Sequence, residues 1–160
     1  MDTKNQSTLK SPRKTWRTLA GSDKGINFSY KYVGDGRYRP IIPIEISTDT
    51  DNAISYEVLV DSGADISIFD AEVAEAIGIT NLESGDKFVF SGITGEEEIG
   101  YLHIVTITVK DCSYQTTVVF SENIRDDGHG IVGQKGFLDY FAIKFDYYKK
   151  YVVLRKKGWV

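Results

Sequence analysis

Cysteine is almost missing from this sequence: Cys112 is the only one, so no disulfide can form within the chain. It stands in a strand-like stretch between Lys110 and Phe120, where a lone thiol reads as a small buried hydrophobe. Histidine is equally scarce. His103 and His129 lie far apart with no cysteine beside them, so no zinc-ligand spacing exists and neither a metal nor another cofactor is expected. No run of residues approaches the roughly 18 apolar positions of a membrane span. The basic residues near the start are not followed by an apolar segment, so no secretory signal is expected and the reading is a soluble, cytoplasmic protein.

Charge is unevenly placed along the 160 residues, whose formal net charge is −4. Residues 1–25 hold six of the 19 Lys and Arg but two of the 23 Asp and Glu. The remainder is acidic. The basic stretch is interleaved with Ser, Thr and Gly, carries no nucleic-acid-binding motif, and reads as a flexible, solvated extension. No nucleic-acid or membrane partner is expected. The domain proper is placed at residues 26–160, and its length suits one core.

Forty-one per cent hydrophobic and 12% aromatic residues, with many Val, Ile and Thr, favour strands, because branched and aromatic side chains pack well on a pleated surface. After a turn at Gly34-Asp35-Gly36, alternation begins at Ile41 to Ile46, and Ser55 to Val60 is its predicted hairpin partner. Asp70 is placed to cap a short helix through Ala76 and Ile77, with Gly78 to end it. From Lys87 to Val109 apolar runs are broken at Ser91 to Gly95, which predicts a projecting hairpin. Further strands are expected at Thr116–Phe120, Ile131–Gly133, Ala142–Tyr147 and Tyr151–Arg155. Between them, Phe137, Leu138 and Phe141 have the spacing of one helical face.

The most informative segment is Leu59-Val60-Asp61-Ser62-Gly63-Ala64-Asp65: an apolar strand delivers a carboxylate into a loop of small residues. Gly63 permits backbone turns closed to other residues, and Ser62 and Ala64 leave room for a second backbone to approach. Asp-Ser-Gly alone is also an ordinary turn sequence.

This stretch resembles the Asp-Thr/Ser-Gly-Ala signature of the retroviral-type (retropepsin-like) aspartic peptidases. The preceding apolar strand, the hairpin with Gly92 and Gly95, and Ile131-Val132-Gly133 before a short helical stretch extend the resemblance over roughly residues 38–155. It implies a mostly β, closed barrel with one or two short helices and a flap hairpin, active as a homodimer. Asp61 would be the catalytic carboxylate, paired with Asp61 of a second copy. Ser62 would tie the two loops together, Gly63 and Ala64 would border the substrate, and Asp65 would be either a secondary contact or structural.

Gly92, Ile93, Thr94 and Gly95 would form the flap over an extended peptide, although a plain surface hairpin fits the same residues. Ile131, Val132 and Gly133 would form the second-half loop. Ile68, Val132 and the region of His129 are candidate pocket linings, with core or loop roles open for each. The implied function is aspartic endopeptidase; a catalytically silent peptide-binding or scaffolding domain is the alternative, and a nucleic-acid-binding barrel is disfavoured by the acidic body.

Overall fold

A computed structural model describes residues 25–48, 52–92, 95–124 and 129–157. The predicted basic extension lies outside them up to its last residue, Gly25.

Strand β4 (Ile41–Ser47) alternates buried Ile42, Ile44 and Ile46 with exposed Pro43 and Glu45. This period of two places one row of side chains inside. It pairs antiparallel with β5 (Ile54–Val60), from Ile41 opposite Leu59 to Ile46 opposite Ile54, which is the predicted hairpin. Beyond β5 the chain loops into the short β6 (Ile68–Asp70) and helix α1 (Ala71–Ala76).

The ends of α1 follow from its flanking residues. The Asp70 carboxylate accepts a hydrogen bond from the Glu72 amide, as an N-cap should. At the other end Gly78 has φ +92°, the Gly78 amide donates to Glu75 and the Ile79 amide to Ala74, a Schellman ending that satisfies otherwise orphaned carbonyls. Val73, Ala74 and Ile77 point into the core.

A 3-10 turn at Leu82–Ser84 leads to β7 (Asp86–Ser91), which pairs with the first part of the long β8 (Glu97–Val109). Strand β9 (Cys112–Ser121) returns alongside β8 and starts earlier than predicted, because the turn at Lys110, φ +52°, lets pairing begin at Val109 opposite Cys112. Cys112 is half-buried against the core. The last barrel strand, β10 (Gly130–Val132), inserts between β5, to which it is parallel, and β6, to which it is antiparallel. The order β4-β5-β10-β6-β9-β8 closes where Ile46 of β4 meets Ile107 of β8, giving a six-stranded barrel. Closure pairs each barrel strand on both sides, and β7 extends from β8 as the other arm of the hairpin.

Two smaller units lean on the barrel. In one, β1 (Ile26–Ser29), β12 (Tyr151–Lys156) and β11 (Phe141–Asp146) form a sheet that adds Val152 and Leu154 to the core. In the other, β2 (Lys31–Tyr32) and β3 (Tyr38–Arg39) form a hairpin around Gly34-Asp35-Gly36, all three at positive φ. The core joins Ile42, Ile46, Val58, Phe69, Val105, Ile107, Val118, Phe120 and Phe137. Each fully buried Ile, Val or Phe contributes roughly 1.5–3 kcal/mol before entropy is counted.

One sequence expectation is corrected. Residues 137–140 form hydrogen-bonded turns rather than a helix. Gly136, at φ +90°, turns the chain just before Phe137, and the amides of Leu138 and Asp139 reach back to the carbonyls of Gly133 and Gln134. The apolar spacing was nonetheless informative, since the Phe137 and Phe141 rings are both buried, 5.1 Å apart.

Candidate active site

Asp61 follows the last residue of β5 directly, and two backbone contacts fix it there. Its amide donates to the Val132 carbonyl at 3.0 Å, continuing the β5–β10 pairing by one step. Its Oδ1 accepts from the Gly63 amide at 2.8 Å, so the carboxylate is turned back over its own loop. The loop closes with the Ala64 amide donating to the Asp61 carbonyl at 3.4 Å. Asp61 is partly exposed, and Ser62 and Gly63 are exposed. An oriented carboxylate therefore stands at the surface of the chain.

The reason for glycine at position 63 differs from the one read in the sequence. Its φ lies outside the left-handed region, so no special backbone turn demands it. A Cβ there would instead stand 3.2 Å from Asp61 Oδ1, crowding the atom that the Gly63 amide binds.

Residues 132–135 clamp the far side of this loop. The Gln134 amide donates to the Ala64 carbonyl at 2.8 Å, the Lys135 amide to Asp65 at 2.9 Å, and the Ser67 amide to the Lys135 carbonyl at 3.0 Å. Gln134 Nε2 also donates to the Ser62 carbonyl at 3.3 Å. Gly133 sits so tightly that a Cβ would lie 2.5 Å from the Ala64 carbonyl oxygen. Fully buried Ser67 accepts from the Gly133 amide and donates to the Lys135 carbonyl, each at 3.1 Å. Ser67 and Gln134 escaped the sequence reading. For Ser67 the available signal was a hydroxyl between apolar Ile66 and Ile68 in a stretch otherwise fit for the core.

The other predicted residues divide between the loop, the core and the hairpin. Exposed Asp65 stays in the loop, held through its carbonyl. Ile131 is half-buried between Leu59 and Ile68, whereas Val132 is fully buried and belongs to the core. Gly92 and Gly95 form the tip of the β7–β8 hairpin, where the Gly95 amide donates to the Gly92 carbonyl at 3.0 Å. Among the described residues, chain neighbours aside, no atom lies within 4 Å of a Cβ built at either glycine, so both stand clear of the barrel. Ile93 and Thr94 lie outside the described residues. His129, entering β10, lies beside Glu57 and the β2–β3 hairpin.

Beneath Gly130, Tyr56 packs on Phe69; burial first, then Asp70 and Glu72, raise its phenol above the ordinary value. Among the described residues no three His, Cys, Asp or Glu side chains are grouped to hold a metal ion. No helix among them is long and apolar enough to cross a membrane.

Residues 48–138, from the end of β4 through the Asp61 loop and its clamp, match the family described as "gag-polyprotein putative aspartyl protease". The chain belongs to this family. The aspartyl protease fold is seen again in solved structures. A retropepsin-like aspartic protease from Rickettsia conorii is 15% identical, with 83% of this chain and 92% of that one covered at a TM-score of 0.58. The EIAV protease in complex with the inhibitor HBY-793 is 23% identical over 64% of this chain and 88% of that one, at a TM-score of 0.45. The retroviral protease-like domain of Ddi1 from Leishmania major is 13% identical over 74% and 95%, at 0.49. A search of curated protein sequences finds no match. The barrel is thus retropepsin-like, and Asp61 stands in the loop that carries the Asp-Ser-Gly-Ala sequence.

Proposed function

We propose that the protein is an aspartic endopeptidase whose site forms when two copies meet through their Asp61 loops. The observation that carries this reading is the surface carboxylate of Asp61, oriented by the Gly63 amide and braced by residues 132–135. Cavities of about 700, 950, 680 and 370 Å³ elsewhere on the chain are all lined without Asp61. A second loop would supply the missing wall and the second carboxylate.

In such a pair one proton is shared between the carboxylates, because two negative charges a few Å apart repel; aspartic peptidases are the standard instance. The charged Asp61 takes a proton from a water as its oxygen attacks the peptide carbonyl carbon, and the neutral Asp61 gives its proton to the carbonyl oxygen. The resulting gem-diol collapses as the amide nitrogen is protonated and the C–N bond breaks. No covalent acyl-enzyme forms.

Ser62 ties the two loops through its hydroxyl, and Gly63, Ala64 and Asp65 border the substrate. Ile131 lines the cleft beside Leu59, while Val132 and Gly133 support the loop from behind. The tip from Gly92 through Ile93 and Thr94 to Gly95 closes over an extended peptide and excludes water. The peptidase unit is residues 26–160, with the basic segment 1–25 attached to it.

The test is cleavage of denatured mixed protein between about pH 4 and pH 7 by wild type and Asp61→Asn, with and without pepstatin. The reading expects activity confined to the wild type and blocked by pepstatin. Equal behaviour of the two proteins would instead indicate a silent peptide-binding domain.

A further inference from the structure

We propose that a basic cavity behind β5 selects an acidic side chain of the peptide substrate, a specificity that rests on the peptidase reading above. The β2–β3 hairpin folds over the outward face of β5 and leaves a cavity of about 370 Å³ lined by Lys31, Tyr32, Val33, Arg37, Arg39 and His129. Four basic side chains on one small cavity stand out on a domain where acidic residues prevail. Lys31 of the lining pairs with the Glu57 carboxylate of β5, and His129 Nδ1 lies 3.7 Å from the same oxygen, beyond hydrogen-bonding distance. This buried Nδ1 has no hydrogen-bond partner among the described residues. Arg37 meets Asp35 at 3.2 Å, but the Asp35 side chain is 88% exposed, so solvent screens that pairing and the guanidinium keeps donors for another anion.

The strands beside the cavity are also tied to Asp61. Strand β5 runs into it, and β10, which begins just after His129, holds the Asp61 amide through Val132. Strand β3 continues through Pro40, whose carbonyl accepts from the Val60 amide at 3.0 Å. Glu57 and His129 sit about three or four strand residues from Asp61, about 10–14 Å at a strand's rise per residue. An extended peptide with its scissile bond at Asp61 brings a side chain three or four positions away to this distance. A carboxylate there meets the forked donors of Arg37, the Lys31 ammonium and His129 Nδ1, a set suited to a planar anion.

Binding can be measured without turnover. Full-length Asp61→Asn protein is titrated into fluorescein-labelled ten-residue peptides of alternating Val and Ala, with Glu or Gln placed at each position in turn, and anisotropy is read. At one or two positions the Glu peptide is expected to bind about fivefold more tightly than its Gln twin. That preference should disappear in Arg37→Gln and return in Arg37→Lys; Arg37 is exposed enough that neither change threatens the fold. Equal binding of Glu and Gln peptides at every position, or no binding of any peptide, overturns the proposal. Absence of cleavage by the wild type, with the Glu preference intact, would sink the peptidase reading and leave the acidic-peptide pocket standing.

Discussion

The Gly133 amide donates to the Ser67 hydroxyl at 3.1 Å across 66 residues of sequence, fully inside the protein. The same hydroxyl donates to the Lys135 carbonyl, so one oxygen joins the strand leaving the Asp61 loop to the segment that braces it. Ser67→Ala would leave the buried Gly133 amide without this acceptor. A loss of about 1–3 kcal/mol is expected, seen as a lower urea midpoint with an unchanged slope. A wild-type midpoint would mean that the hydroxyl does not hold the loop.

Gly133→Ala should be at least as damaging for a steric reason. Its Cβ would meet the Ala64 and Ile66 carbonyl oxygens at 2.5 and 2.7 Å, and both belong to the backbone. Relief requires the Asp61 loop to move away from residues 132–135. The expected outcome is a cost of about 1–3 kcal/mol or more together with loss of peptide cleavage. A variant that melts like wild type and cleaves normally would show that the loop need not pack so closely.

Alkaline pH should reveal Tyr114. Burial, followed by Asp139, pushes its phenol well above the ordinary value, and its hydroxyl donates to the Gly136 carbonyl at 3.2 Å. A raised folded-state value means that the unfolded chain gives up this proton first. The stability tied to the neutral phenol is therefore complete below about pH 10 and declines as pH rises beyond it. Urea midpoints at pH 8 and pH 10.5 should fall more steeply for wild type than for Tyr114→Phe. Parallel declines would assign the alkaline loss to other groups.

Much of this architecture was legible locally. Alternation marked β4, with β5 as its hairpin partner, and Asp70 and Gly78 marked both ends of α1, because each signal sits within a few residues of its effect. What escaped depends on distant partners. Phe137 to Phe141 has helical spacing, but Gly136 and the reach of Leu138 and Asp139 back to Gly133 and Gln134 make it a run of turns. Ser67 acquires its role only when β10 slides between β5 and β6, an insertion no local pattern announces. The position of Asp61 at the end of β5 was legible because an apolar strand leading into small residues is a local feature. The basic cavity was not, since Lys31, Arg37 and His129 meet only after the β2–β3 hairpin folds over β5.

The shared Asp61 site can be tested by subunit mixing. Wild-type protein at fixed concentration, high enough to dimerise, is equilibrated with a ninefold excess of Asp61→Asn, and peptide cleavage is followed. If each site needs Asp61 from both copies, random exchange leaves roughly one tenth of the wild-type activity, because most wild-type chains are paired with an inactive partner. Activity unchanged by the excess, with exchange verified by a fluorescence-labelled subunit, would contradict the account, since each chain would then carry a complete site of its own.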